Sequence, residues 1–126
     1  MRNPARRVAV TAALALAATA ALAGDSLAGS SGFTVREKEF SLAGVPKTIT
    51  RGTTEKITVH NVGKVPHSLL VDGPGVSDRG IHNKNALAGG ASGAFTLTFA
   101  KPGKYRIYCA IRGHAKLGMQ ATIVVR

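Results

Sequence analysis

The sequence predicts an all-β fold, a β-sandwich, from three observations. Short segments alternate apolar and polar residues with a period of two, and Gly, Pro and Asn separate them. No segment after the first 23 residues shows a convincing helical period. About 100 residues can enclose one small core, so we expect a single domain.

The predicted strands follow one another along the chain. In order, they are FTVREKEFSLAG, TITRGTTEKITVHNVG, HSLLVDG, GAFTLTFA, KYRIYCA and MQATIVVR. Because alternate strand residues face opposite sides, Phe95, Leu97 and Phe99 are expected to point inward. The connection from Asp72 to Gly93 is rich in Gly, Asn and Ala. It is expected to be irregular, with room for one short helical turn.

Residues 1–23 are predicted to be a secretory signal peptide. Three arginines precede an uncharged, alanine-rich run that ends in the small-x-small site Ala21-Leu22-Ala23, and Ala28 closes a second such site. The run is short for a membrane span, which needs about 20 apolar residues. We therefore expect a periplasmic or secreted protein, with a flexible segment at 24–32 and a folded domain at 33–126.

The expected mature chain is strongly basic. Three of the 17 Lys and Arg residues lie within 1–23 and none of the six Asp and Glu does, so the formal charge from residue 24 onward is +8. A basic surface favours acidic partners or peripheral contact with anionic membranes. Nucleic acid is a poor partner for an exported chain with few aromatics, none of them within a basic cluster. A solvated surface that serves solubility is the simpler alternative.

Four residues with metal-binding side chains lie at predicted strand ends or on the loop between two of them. Cys109 is the only cysteine, so it has no partner for an intramolecular disulfide. It is expected to end a strand with its side chain toward the core, and Met119 begins the last strand with the same parity. His67 begins another strand on its apolar face, and His114 lies on the loop between Cys109 and Met119.

If these strand ends meet at one pole of the sandwich, they offer two imidazoles, a thiolate and a thioether. A trigonal His, His and Cys set with a weak axial Met is a blue-copper electron-transfer site. Copper would also keep the thiol deprotonated, which accounts for an unpaired cysteine. Taken singly, Cys109 and Met119 could be core residues and His67 a turn histidine. The joint pattern favours copper.

The segments YRIYCAIRGHAKLGM and HNVGKVPHSLLVDG resemble the plastocyanin/azurin-like cupredoxins, in which a His follows an Asn-x-Gly turn and a Cys…His…Met loop supplies the other ligands. The C-x4-H-x4-M spacing is similar to that of rusticyanin and auracyanin. The resemblance covers the chain from about Phe33 to Arg126. It implies an eight-stranded Greek-key sandwich that holds one type 1 copper ion through His67, Cys109, His114 and Met119.

Two residues depart from the pattern of this family. Many members have Asn after the first His, where it braces the Cys loop, but this chain has Ser68. A smaller brace is expected to alter the hydrogen bonding around the sulfur. Arg112 stands where related loops often have Pro, which favours a partner with an acidic or mixed surface over a wholly apolar contact.

The resulting hypothesis is a monomeric, exported one-electron carrier, not an enzyme, that passes electrons through the edge of His114 to redox proteins. The alternatives are a copper-delivery module, a metal-free adhesive sandwich, and an electron-transfer subunit of a copper oxidase or reductase. The sequence offers no second His cluster for a catalytic copper. His60 and His82 are expected at the surface, and Tyr105 and Tyr108 are expected to pack rather than to relay electrons.

Overall fold

The computed structural model describes residues 30–126, which form two β-sheets. The strands, in chain order, are β1 (Ser30–Lys38), β2 (Ser41–Ala43), β3 (Thr48–Ile49), β4 (Thr53–Asn61), β5 (Leu69–Gly73), β6 (Val76–Ile81), β7 (Ser92–Phe99), β8 (Gly103–Tyr108) and β9 (Gln120–Val125). The predicted all-β class is therefore confirmed, with nine strands where about eight were expected. The predicted signal peptide and residues 24–29 lie outside the described residues.

The two sheets have the strand orders β2-β1-β4-β7 and β3-β9-β8-β5-β6. Strand β1 runs parallel to β4, whereas β4 and β7, β5 and β8, and β8 and β9 are antiparallel pairs. Strand β1 begins at Ser30, three residues before the predicted start of the domain. The reason is that Ser30–Gly32 extend the ladder opposite Thr54–Lys56, although their small side chains carry no strand signal.

Strand β6 corrects the prediction that the whole connection from Asp72 to Gly93 is irregular. It pairs with β5 at the edge of the second sheet, and none of its residues is fully buried, so it lacks the apolar alternation that identifies the other strands. Asp78 and Gly80 interrupt the alternation, with φ angles of 48° and 140°. The helical turn that this connection was expected to accommodate is a 3₁₀ turn at Asn83–Asn85.

The core lies between the sheets and is made of alternate strand residues, as the period-two pattern predicts. Leu97 and Phe99 are buried, while Phe95 is half-buried and packs against the core. The rings of Phe99 and Tyr105 meet edge to face at 5.1 Å. Tyr105 is fully buried, and its hydroxyl donates to the carbonyls of Lys101 and Pro74 at 2.8 and 3.1 Å. Its predicted packing role is therefore confirmed.

One buried acid departs from this apolar pattern. Glu37 on β1 is fully buried, and neither of its carboxylate oxygens has a hydrogen-bond partner within residues 30–126. Burial without a partner disfavours the charged form, and it raises the pKa of Glu37 to about 7. The folded protein therefore favours Glu37 as a neutral carboxylic acid.

Glu37→Gln should change how stability depends on pH. A raised folded-state pKa contributes stability that is fully present below the unfolded value of 4.5 and is lost as the pH rises through about 7. The free energy of unfolding of the variant, relative to the wild type, should therefore rise by about 3 kcal/mol between pH 4 and pH 8. Urea titrations of the metal-free proteins measure this difference. All other ionisable groups are common to both proteins, so a difference independent of pH would contradict the assignment.

Candidate metal centre

Asn61, the last residue of β4, shapes the loop that leads to His67. Its buried side-chain amide donates to the carbonyls of Val65 and Leu87, both at 2.8 Å, and its Oδ1 accepts the N–H of Gly63 at 2.8 Å. His67 and Leu87 then exchange two backbone hydrogen bonds of 3.0 and 2.8 Å. The Asn-x-Gly segment thus folds into a turn that fixes the backbone of His67.

The second loop connects β8 to β9 and carries Cys109, His114 and Met119. Its two ends are joined by a hydrogen bond of 3.0 Å from the Cys109 N–H to the Met119 carbonyl. The N–H of Met119 donates in turn to the carbonyl of His114 at 3.2 Å. Gly113 and Gly118 have φ angles of 84° and 130°, which side-chain-bearing residues rarely adopt. The loop is therefore a closed set of tight turns.

These two loops bring three ligand-type atoms together at one end of the sandwich. The Nδ1 atoms of His67 and His114 are 3.2 Å apart, and the Sγ of Cys109 lies 3.6 Å from the Nδ1 of His114. All three atoms lie within 4.8 Å of one another. Met119 adjoins them through its backbone and is fully buried, as are His67 and, to within 1%, Cys109. Strand parity had placed His67, Cys109 and Met119 at strand ends that face the core, and His114 on the loop between the last two.

His114 differs from the other three because it is only half-buried. Burial first, and then the proximity of the second imidazole, lowers the pKa of His114 below its ordinary value. A low pKa favours the neutral imidazole, which is the form that binds metals. His60 is half-buried and His82 is exposed. Neither belongs to the group of converging ligand atoms.

Ser68 connects the two loops at the sulfur. Its backbone N–H donates to the Cys109 Sγ at 3.5 Å, and its Oγ lies 3.7 Å from the same atom. The Oγ accepts the Ala110 N–H at 2.9 Å, which leaves the hydroxyl proton free for the sulfur. The sequence-based expectation that Ser68 braces the Cys loop agrees with these contacts.

Glu39, in the turn between β1 and β2, contacts the centre and was not identified from the sequence. Its Oε1 accepts the N–H groups of Lys64 and Val65 at 2.8 and 2.9 Å and lies 3.0 Å from the Nε2 of His67. The hydrogen bond from Val65 is the largest of the effects that lower the pKa of Glu39 to about 2. An ionised carboxylate only accepts hydrogen bonds, so Nε2 of His67 carries the proton and Nδ1 offers its lone pair.

The aromatic residues next to the centre have packing roles. Phe40 lies edge-on to His114, with ring centroids 4.9 Å apart. The Tyr108 hydroxyl donates a hydrogen bond to the Asp72 carboxylate at 2.9 Å. Burial, followed by this hydrogen bond, raises the pKa of Tyr108 to about 12. Arg106 covers the Tyr108 ring at 4.1 Å. Tyr108 therefore packs within a network, as expected from the sequence, and Phe40 carried no signal that could have identified it.

The donor set fits one soft-to-borderline metal ion. Two imidazole nitrogens and a thiol sulfur converge, and no carboxylate oxygen belongs to the cluster within residues 30–126. Met119, which carries a thioether, is hydrogen-bonded through its backbone to Cys109 and His114. Sulfur and imidazole ligands select copper or zinc over magnesium or calcium. The carboxylate of Glu39 lies behind a ligand ring instead, where it orients the imidazole.

Comparison with known proteins gave one family and several relatives. A family model described as copper binding proteins of the plastocyanin/azurin family matches residues 32–126. The chloroplastic plastocyanin minor isoform of Arabidopsis thaliana is 33% identical over 119 residues, which cover 90% of this chain and 67% of that protein.

Two solved structures show the same fold at lower identity. Auracyanin from Roseiflexus castenholzii, in its dithionite-reduced form, is 18% identical with a TM-score of 0.59, and the match covers 78% of this chain and 98% of that chain. The blue copper oxidase of Nitrosomonas europaea is 17% identical with a TM-score of 0.63, covering 78% and 39% respectively. At these identities the likeness concerns the fold alone.

Asn61→Ala should destabilise the protein by about 2–4 kcal/mol, because it removes three hydrogen bonds of a buried side chain, two to the carbonyls of Val65 and Leu87 and one from the N–H of Gly63. Chemical denaturation of the metal-free protein measures the loss. Asn83→Ala is the matched control, since Asn83 is exposed and makes one hydrogen bond of 3.1 Å to the Ala110 carbonyl. Equal losses in the two variants would show that Asn61 does not organise the loop.

Proposed function

Since this chain belongs to the plastocyanin/azurin family of copper-binding proteins, we propose that it is an exported, mononuclear type 1 copper protein that carries single electrons between redox partners. The observation that carries the proposal is the convergence of the His67, Cys109 and His114 ligand atoms within 4.8 Å. When bound, copper supplies the one-electron Cu(I)/Cu(II) couple.

In this proposal, copper would be held by Nδ1 of His67, Sγ of Cys109 and Nδ1 of His114, and the Met119 thioether would be a weaker fourth ligand. Three of these side chains are buried, so they exclude water from the centre. Hydrogen bonds from Ser68 and to Glu39 hold the sulfur and one imidazole in place. Ligands that are already in place rearrange little when an electron arrives, and this supports rapid transfer.

His114 is the proposed point of electron exchange. It is the half-buried member of the set, and the large exposed apolar side chains of residues 30–126, Phe40, Val65 and Leu117, belong to the turn and loops around it. An apolar contact that excludes water brings a partner close to the imidazole edge.

The charges beside these apolar side chains suggest the kind of partner. Lys64 adjoins Val65, while Arg112 and Lys116 lie on the same loop as Leu117, and all three are exposed. Positive charge around an apolar contact steers negatively charged surfaces toward it. We therefore propose redox proteins with acidic or mixed docking surfaces as partners of a monomer, and anionic membranes as a peripheral contact.

Export is proposed from the predicted signal peptide. Within residues 30–126, no helix is both long enough and apolar enough to cross a membrane. A periplasmic or secreted location is consistent with a single cysteine, Cys109, whose thiol has no disulfide partner in the chain and is a proposed metal ligand.

Two other functions compete with the electron carrier. A copper-delivery module would hold the same ion but release it to an acceptor. An electron-transfer subunit of a copper oxidase or reductase would use the same site and pass electrons to a catalytic centre elsewhere, since His67, Cys109 and His114 form the single converging group found in residues 30–126. The buried ligand positions favour retention of the metal, which supports the carrier.

The visible spectrum of residues 24–126 with one equivalent of Cu(II) tests the proposal. We expect an intense copper–thiolate band that ascorbate bleaches and reoxidation restores, and that Cys109→Ser abolishes. His82→Ala is the matched control and should keep the band, because His82 is exposed and outside the cluster. A colourless wild type, or a band that Cys109→Ser retains, would refute the site. Loss of copper to a chelator on each redox cycle would favour delivery.

Met119→Leu should raise the reduction potential and leave the coloured site largely intact. The axial thioether bond is weak and tunes the potential more than it holds the ion. We expect a rise of roughly 59 mV or more, a tenfold change in the one-electron equilibrium, in a spectroelectrochemical titration. Ile123→Leu, a volume-conserving change in the core away from the loops, should leave the potential unchanged. Complete loss of copper binding in Met119→Leu would contradict the axial role.

A further inference from the structure

The turn between β1 and β2 reaches both loops of the metal centre. Its two residues, Glu39 and Phe40, contact the two imidazoles separately: Glu39 lies at the Nε2 of His67, and Phe40 packs on the ring of His114. The turn also lies close to the backbone of both loops, at Gly63 in the loop before His67 and at Gly118 in the loop before Met119. A Cβ on Gly63 would overlap the Glu39 carboxylate, and one on Gly118 would lie 2.6 Å from the Phe40 carbonyl oxygen.

The Glu39 carboxylate is held in one place. One of its oxygens accepts three hydrogen bonds, from the backbone of Lys64 and Val65 and from the ring of His67. Its side chain is 25% exposed, and that of His67 is fully buried. A single full negative charge is therefore fixed 3.0 Å behind one proposed ligand ring, on the side away from Cys109.

We propose that Glu39 is a positioning residue of the copper site, which orients His67 and lowers the reduction potential through its fixed negative charge. This inference rests on the proposed function. By accepting a hydrogen bond from Nε2–H, the carboxylate selects the tautomer in which the unprotonated nitrogen is Nδ1, on the side of the ring that faces the other ligand atoms. By its charge, it stabilises the doubly charged copper ion more than the singly charged one, so electron uptake becomes less favourable.

A purely structural role for Glu39 makes a different prediction from this one. If the carboxylate only fastened the Gly63–Pro66 loop, any acceptor of the same shape would replace it, and its charge would not matter. Glu39→Gln keeps the length of the side chain and an acceptor oxygen but removes the charge. Glu39→Asp keeps the charge but shortens the reach. The two variants therefore separate the effect of the charge of Glu39 from the effect of its hydrogen bonds to the loop.

The test is the reduction potential of the copper-loaded wild type, Glu39→Gln and Glu39→Asp, with Glu55→Gln as the control. Glu55→Gln replaces a carboxyl by an amide in the same way, but on β4, where Glu55 accepts a hydrogen bond from the Ser31 hydroxyl. It lies six residues before Asn61, about 20 Å along the strand. We expect the one-electron equilibrium of Glu39→Gln to shift about tenfold toward Cu(I), a rise of about 59 mV. Glu39→Asp should shift less, and Glu55→Gln should match the wild type.

A second readout needs no metal. In the metal-free protein, ¹⁵N NMR of the imidazoles should show His67 protonated at Nε2 in the wild type and in Glu39→Gln. In Glu39→Ala, which removes the acceptor, His67 should show a mixture of tautomers. A single Nε2-protonated form in Glu39→Ala would overturn the positioning role.

The outcomes separate this inference from the proposed function. A Glu39→Gln potential equal to that of Glu55→Gln, or a larger rise in Glu39→Asp than in Glu39→Gln, would overturn the charge effect while the coloured site remained. A wild type without a copper–thiolate band would refute the proposed function itself. The tautomer measurement on the metal-free proteins would then still decide whether Glu39 positions His67.

Discussion

The packing of a buried imidazole and a buried thiol against a second, half-buried imidazole is the constraint on which this end of the molecule depends. Polar groups that leave water need partners, and the facing Nδ1 atoms of His67 and His114 are only 3.2 Å apart. The fold supplies those partners from outside the cluster, at the Nε2 of His67 and at the sulfur of Cys109. The remaining ligand-type atoms of His67, Cys109 and His114 lie within 4.8 Å of one another.

The sheets provide the stiffness that this arrangement needs. Both loops are fastened where they leave the strands, one by the hydrogen-bonded pair of His67 and Leu87 and the other by the bond between Cys109 and Met119. The loop residues therefore behave as extensions of the sandwich and not as free connections. The β1–β2 turn lies so close to these fixed loops that Gly63 and Gly118 have no room for a side chain.

Sequence alone predicted the parts of the site that repeat a local pattern. The β-sandwich and the core-facing positions of His67, Cys109 and Met119 follow from strand parity, because a period of two assigns each strand residue to a face. The inclusion of His114 rested on the spacing of the loop and on the family resemblance. Glu39 could not be found in this way. It lies 28 positions before His67 in a stretch of alternating charges that is typical of a solvated strand. Its role depends on which strand lies beside β4, and β6 was missed because its residues are exposed or half-buried and show no apolar alternation.

The parallel pairing of β1 with β4 has a consequence for the order of assembly. Antiparallel neighbours can be joined by a short hairpin, but these strands pair across 24 positions, from Ser30 to Thr54, so the intervening chain must first be closed into a loop. The turn that completes the metal centre follows β1 directly. Glu39 and Phe40 also precede both imidazoles that they contact, so these contacts cannot form until His67 and His114 have been synthesised, and trimming the chain past Ser30 would shorten the ladder that holds Glu39 in place.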